Sequence, residues 1–259
     1  MLNIVIPMAG AGSRFAKSGF ELPKPLIPIH KVPMIQLVVE NIRPKIQHRF
    51  IFIVQESHLT GFGLNSVLQK SSEHCNIVPI NGITEGAACT VLKARDLIDN
   101  PNPLMIVNSD QYVHADIDEY LSILDSNNLD GLIMTMRSSH QKWSYVKIGH
   151  EGLIEHVVEK EVISEHATVG VYNFRRGSDF VAAAESMILN NQRSNGEFYV
   201  APVYNRMIDK GMRVGCWSIG KESEGMYGLG TPEDLHLFRS NQLSIAVESK
   251  LFSRRNEEG

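Results

Sequence analysis

The chain has 259 residues, 43% hydrophobic and 21% charged, with a formal net charge of −4. That length supports a sizeable core in one large α/β domain, and the composition excludes disorder as the default state. Without a basic face, non-specific nucleic-acid binding is not expected, and no run approaches the roughly 18 unbroken apolar residues of a membrane helix. Cys75, Cys89 and Cys216 are widely spaced and contain no Cys-x-x-Cys pair, which predicts free thiols in a reducing cytoplasm. The N-terminus carries no basic leader and enters a strand pattern at once, in keeping with a cytoplasmic location.

In chain order, residues 2–8 predict a buried strand. Ile35, Val38, Val39 and Ile42 recur at i, i+3, i+4 and i+7, the pattern of an amphipathic helix, here stopped by Pro44. Strands are expected at 49–54, 75–80 and 104–107, with helices at 58–70 and 86–98 between them. The fourth strand ends at Asn108-Ser109-Asp110; a helix at 117–125 and a strand at 130–136 follow. This alternation predicts a doubly wound, mostly parallel α/β sheet with helical crossovers. Ligands in such sheets bind at the carboxyl ends of the strands, so the loop after the first strand and Asp110 after the fourth should share an edge.

From residue 137 the pattern turns into a smaller β-rich lobe, with strands at 145–148, 154–159 and 168–174. Helices at 179–189 and 198–210 and a strand at 213–217 come next. Thr231, Pro232 and Asp234 form a helix start: hydroxyl cap, proline at the first position, acid in the first turn. The expected organisation is one domain over 1–240, with halves at 1–136 and 137–240, then a C-terminal tail over 241–259 whose final stretch, SKLFSRRNEEG, is polar and frayed.

Residues 7–26 read PMAGAGSRFAKSGFELPKPL. Glycines directly after a strand free backbone N–H groups, and Arg14, Lys17 and Lys24 crowd the same stretch, a combination suited to a polyphosphate. It is not a Walker A loop, which needs Gly-x4-Gly-Lys-Ser/Thr. It is not a Rossmann fingerprint either, because Phe15 stands where the third glycine belongs.

What remains, Gly10-x-Gly12-Ser13-Arg14-Phe15 followed by Pro23-Lys24-Pro25-Leu26, resembles the sugar-phosphate nucleotidyltransferases, which join a nucleoside triphosphate to a phosphorylated small molecule. The resemblance implies that Ala9, Gly10, Ala11, Gly12 and Ser13 wrap the triphosphate and that Arg14 and Lys24 contact its phosphates. Asn81 and Gly86, in NGITEG, resemble the segment that reads the base. Asp110 resembles the aspartate that holds Mg2+, the implied cofactor. Glu159 and Lys160, in VVEKE, resemble the pair that contacts the second substrate and its phosphate, and Gly170 the glycine beside it. Gly196-Glu197 resembles the pair that opens a later helix. Gly228 departs from the pattern: many members carry a second Mg2+-binding aspartate there, and Asp234 and Glu224 are nearby but neither matches the position, which leaves Asp110, the triphosphate and water to hold the metal. The resemblance also makes 1–136 the nucleotide-binding half and 137–240 the acceptor-binding half.

The implied reaction is attack of an acceptor phosphate on the α-phosphorus, with pyrophosphate leaving. PMAGAGSRF and GEFYVAPVYN resemble a subgroup of surface-polysaccharide pathways that includes cytidylyltransferases such as the CTP:phosphoglutamine type, which favours CTP among pyrimidine donors. A UTP- or dTTP-dependent enzyme for sugar 1-phosphates stays open, and so does self-association, which many relatives show. Two readings compete with transfer. A glycosyltransferase would want Asp-x-Asp, whereas Gln111 and Tyr112 follow Asp110; a non-catalytic nucleotide binder is favoured only by Gly228.

Overall fold

The computed structural model describes residues 1–72 and 74–257, with side chains through residue 249. Its first half runs β1 (Leu2–Pro7), α1 (Ser13–Lys17), a ribbon of β2 (Pro28–Ile29) and β3 (Val32–Pro33), α2 (Met34–Asn41), β4 (His48–Gln55), α3 (Glu56–Phe62), α4 (Leu64–Ser71), β5 (Cys75–Ile80), α5 (Ala87–Val91), α6 (Arg95–Ile98), β6 (Leu104–Val107), β7 (Gln111–Val113), α7 (Ile117–Ser126) and β8 (Gly131–Arg137). Its second half adds β9 (Ser144–Ile148), β10 (Ile154–Glu159), β11 (His166–Phe174), α8 (Gly177–Leu189), α9 (Val203–Ile208), β12 (Val214–Glu222), β13 (Gly225–Gly228), α10 (Pro232–Ser240) and α11 (Gln242–Glu257).

An 11-stranded sheet runs in the order β5-β4-β1-β6-β11-β8-β12-β13-β7, and the β9–β10 pair branches from β11. β1 pairs in parallel with β4 and β6, and β4 with β5, so the expected doubly wound half is present. The β-rich second half continues the same sheet: β11 inserts antiparallel between β6 and β8, and β12 lies parallel to β8. Ile4 and Ile6 of β1 face one core cluster and Val5 the other; Phe50, Phe52 and Val54 of β4 likewise oppose Ile51 and Ile53. Val38, Leu68, Tyr120 and Leu235 cover the first face from α2, α4, α7 and α10. Ala88, Ile98, Phe180 and Tyr204 cover the second from α5, α6, α8 and α9. Burial on both faces explains why these strands read as unbroken apolar runs, each large side chain contributing about 1.5–3 kcal/mol.

The structure departs from the sequence reading at several ends. The helix expected over 58–70 is two, broken at Gly63 with φ 68°. The helix expected over 86–98 is interrupted by a 3-10 turn at Leu92–Ala94. The helix expected over 198–210 starts only after Pro202, because Phe198 is held in an extended loop by bonds to Glu85 and Ala88. The tail expected over 241–259 forms a helix as far as Glu257, through most of the stretch expected to fray, and its first turns dock. Ser244 is fully buried, its Oγ shares a 2.9 Å hydrogen bond with His30 Nε2, and Glu248 Oε1 accepts from Lys31 N–H at 3.0 Å. Residues 258 and 259 of that expected tail lie outside the described residues.

Candidate active site

The parallel strands β1, β4, β5 and β6 end on one edge of the sheet, so the loops that follow them gather there. Gly12 takes the left-handed conformation, φ 60°, at the start of α1, and its carbonyl accepts from Phe15 N–H at 3.1 Å. Phe15 is 1% exposed and meets Phe20 edge-to-face at 5.2 Å. The ring anchors α1 where a dinucleotide fold would use a glycine for close packing. Pro23 leads into a 3-10 turn at Lys24–Leu26 whose Pro25 and Leu26 are buried, which fixes the stem of Lys24. A Cβ on Gly12 would stand 3.8 Å from Lys24 Cβ, so loop and lysine are adjacent.

Lys24 Nζ donates to Asp110 Oδ2 at 2.8 Å across the edge. Burial alone would raise the Asp110 carboxyl; Lys24 and, farther off, Arg14 outweigh it and hold the group below the ordinary carboxylate range. Its backbone carbonyl accepts from Leu229 N–H at 2.8 Å, and a Cβ on Gly230 would come within 2.7 Å of Oδ2. The short pairing of β7 with β13 brings these segments together. Asp110 opens onto a cavity of about 500 Å3 shared with Arg14, Gln111, Glu159, Lys160 and Asp234. Gln111 is 3% exposed, and its Nε2 has no partner among the described residues. Gly170, φ 76°, lies against it: any Cβ there would strike Asn108 Nδ2 at 2.3 Å and Gln111 Oε1 at 2.6 Å.

Most of the remaining lining comes from the second half. Glu159 is half-buried and its carboxyl is raised, by burial first; the Ser144 hydroxyl that donates to it and Lys160 oppose the shift, and Glu197 adds to it. Lys160 holds a left-handed backbone, φ 58°, with its N–H on Trp143 O at 3.0 Å. Its ammonium donates to the Tyr199 hydroxyl at 2.7 Å, which raises its affinity for the proton, and lies 4.9 Å from that ring's centroid. Lys142 donates to Glu222 Oε1 at 2.5 Å and sits 4.0 Å from Asp234 Oδ1.

The family signature described as nucleotidyl transferase matches residues 4–217. The chain belongs to this nucleotidyl transferase family. It is 23% identical over 252 residues to the bifunctional protein GlmU of Thermodesulfovibrio yellowstonii, covering 91% of this chain and 51% of the relative. The chain thus spans about half the length of the curated relatives it matches. Among solved structures it is similar to a nucleoside-diphosphate-sugar pyrophosphorylase from Vibrio cholerae RC9, with TM-score 0.76 and 26% identity, covering 92% of this chain and all of that one. It also shares the fold of a UDP-glucose pyrophosphorylase complexed with UDP-glucose, with TM-score 0.71 and 18% identity over 96% of this chain and 99% of that one.

In this nucleotidyl transferase chain, the structure gathers Arg14, Asp110, Glu159, Lys160 and Gly170 on one cavity. Lys24 joins them through its bond to Asp110. Gly10, Ala11 and Gly12 border a smaller cavity of about 170 Å3 with Lys24 and His58. Ala9 is buried and Ser13 exposed. Asn81 lies off the large cavity, its Nδ2 bonded to Glu56 Oε2 at 2.6 Å, and Gly86 packs so tightly on Phe198 that a Cβ would meet its carbonyl oxygen at 2.4 Å. A carboxylate from another position approaches Gly228. Thr231 Oγ1 caps Asp234 N–H at 3.1 Å, and Asp234 Oδ2 lies 3.2 Å from where a Gly228 Cβ would be. With Asp110 held ionised and Asp234 lining the same cavity, these residues fit Mg2+, which binds readily through one or two carboxylates plus substrate phosphates. Sequence reasoning missed Gln111, Ser144 and Tyr199 as site residues. Only adjacency to Asp110 signalled the first, and nothing local signalled the others. A separate cavity of about 370 Å3 opens beside α2 and β7, and its cations Arg43 and Lys45 pair with Glu40 and Asp118.

Proposed function

We propose that the chain transfers a nucleotidyl group from a nucleoside triphosphate to a phosphorylated small molecule and releases pyrophosphate. One observation carries the reading: Lys24 is paired at 2.8 Å with Asp110, whose carboxylate lines the same 500 Å3 cavity as Lys160. The acceptor phosphate is already anionic and needs no strong base. The barrier lies in bringing two anions together and in charge that shifts to the leaving group, which positioning and fixed cations relieve. In this reading residues 1–136 hold the nucleotide. Ala9 to Ser13 and Arg14 hold the β- and γ-phosphates, Lys24 faces the α-phosphate, and Asn81 and Gly86 meet the base. Residues 137–240 hold the acceptor: Lys160 its phosphate, Glu159 and Gly170 its body. Asp110, with Asp234 on the same cavity, would hold Mg2+, which when bound neutralises phosphate charge.

The donor we favour is a pyrimidine triphosphate, with CTP drawn from the opening motif and a role in surface-polysaccharide synthesis in the cytoplasm. UTP or dTTP with a sugar 1-phosphate is supported about as well, given the UDP-glucose pyrophosphorylase fold-mate. The test measures pyrophosphate release for CTP, UTP, dTTP, GTP and ATP against a panel of sugar 1-phosphates and other phosphate esters, with melting curves in parallel. A triphosphate at 100 times its dissociation constant adds about 2.7 kcal/mol of stability. Release with one donor supports the reading and names the base. No release from any pair, together with no melting shift from any triphosphate, overturns it.

A further inference from the structure

We infer that Gln55 and Glu56 are positioning residues that build the base slot, an inference resting on the nucleotidyl-transfer reading above. Gln55 closes β4, the strand between β1 and β5, and therefore stands between the glycine loop and the 81–86 loop. Its Nε2 donates to Ala9 O at 2.6 Å and to Gly82 O at 2.8 Å. A side-chain amide has two hydrogens, so both are committed, and one residue sets the spacing of the two loops. Gly82 turns its carbonyl to this amide from a left-handed backbone, φ 78°. The next residue, Glu56, accepts from Asn81 Nδ2 at 2.6 Å. An ionised carboxylate only accepts, so Asn81 must turn its NH2 to Glu56, which leaves Oδ1 as the group its side chain can offer a base. Two consecutive side chains thus fix the width of the slot and the polarity of one of its edges. Neither residue belongs to the opening motif.

The test titrates the full chain with the five Mg–nucleoside triphosphates and with Mg–tripolyphosphate, which keeps the phosphates and lacks the base. It compares wild type, Gln55→Ala and Glu56→Gln. Gln55→Ala should weaken the preferred nucleotide about tenfold or more, the effect of losing two modest hydrogen bonds, and leave tripolyphosphate within about twofold. Glu56→Gln satisfies Asn81 in either amide orientation. It should keep preferred-nucleotide affinity within about threefold while narrowing the ratio between the best and second-best base several-fold. Unchanged affinity and base ratios in both variants overturn the inference alone. Tripolyphosphate lost in step with the nucleotide also overturns it, since the residues would then hold the loop generally and not the slot. Wild-type protein that binds no nucleoside triphosphate overturns the transfer reading and the slot with it.

Discussion

At the scale of single residues, two carboxylates in one cleft are held in opposite ways. Asp110 is kept ionised by Lys24, whereas Glu159 is pushed toward its neutral form by burial. For Asp110 the folded value lies below the unfolded one. Its contribution to stability is therefore present above the ordinary carboxylate range and is lost as pH falls through the folded value. Asp110→Asn should cost stability near neutral pH, and chemical denaturation should find the gap to wild type closing in acid. Glu159 has the reverse sign: its ionised form is disfavoured in the fold, so Glu159→Gln should leave the melting temperature unchanged or higher at neutral pH. The same variant should raise the acceptor KM with little change in nucleotide KM, because the proposed reading sets Glu159 against the body of the acceptor. Lys24→Ala and Asp110→Ala should each lower kcat by at least about two orders of magnitude, the usual result of removing a fixed electrostatic stabiliser. Turnover near wild type in either would remove that residue from the chemistry.

At the scale of elements, the site is held by close backbone approaches more than by helices. The 81–86 loop is strapped to the second half of the chain: Phe198 N–H bonds Glu85 O at 2.8 Å and Ala88 N–H bonds Phe198 O at 2.9 Å. Arg193 reinforces the strap by pairing with Glu85 and stacking 4.1 Å over the Phe198 ring. Gly86 makes the approach feasible, because its φ is 135° and a Cβ would overlap Phe198 backbone. Gly86→Ala should therefore weaken triphosphate binding and acceptor binding together, measured as parallel rises in both KM values; a rise in one alone would break the idea of a shared strap. Such approaches also mark the limit of what the sequence disclosed. The Pro-Lys-Pro lysine and the strand-end aspartate were legible because a motif carries them. Gln55 was not, because its role depends on Ala9 and Gly82 converging on it. Asp234 was passed over because only the capped turn at Thr231 carries it back to Gly228.

At the scale of the whole molecule, the parallel half was legible because strands buried on both faces leave unbroken apolar runs, as in Ile4–Ile6 and Phe50–Val54. The insertion of β11 between β6 and β8 was not, nor was the pairing of β7 with β13, since strand partners distant in sequence leave no local periodicity. The end of the chain shows the same limit in reverse. The tail from residue 241 carried no predicted element, yet Leu243 and Val247 pack on the main core cluster and Ser244 is fully buried beneath α2 and the β2–β3 ribbon. Ending the chain after Asn241 should thus remove about 2 kcal/mol of apolar burial and lower the melting temperature by roughly 4–8 °C. Triphosphate affinity should stay within about twofold, because the docking surface of α11 lies apart from the glycine loop and Asp110. A truncated chain that melts like the full one would mean that α11 adds nothing to the fold. A loss of nucleotide affinity at constant melting temperature would instead tie this helix to the site.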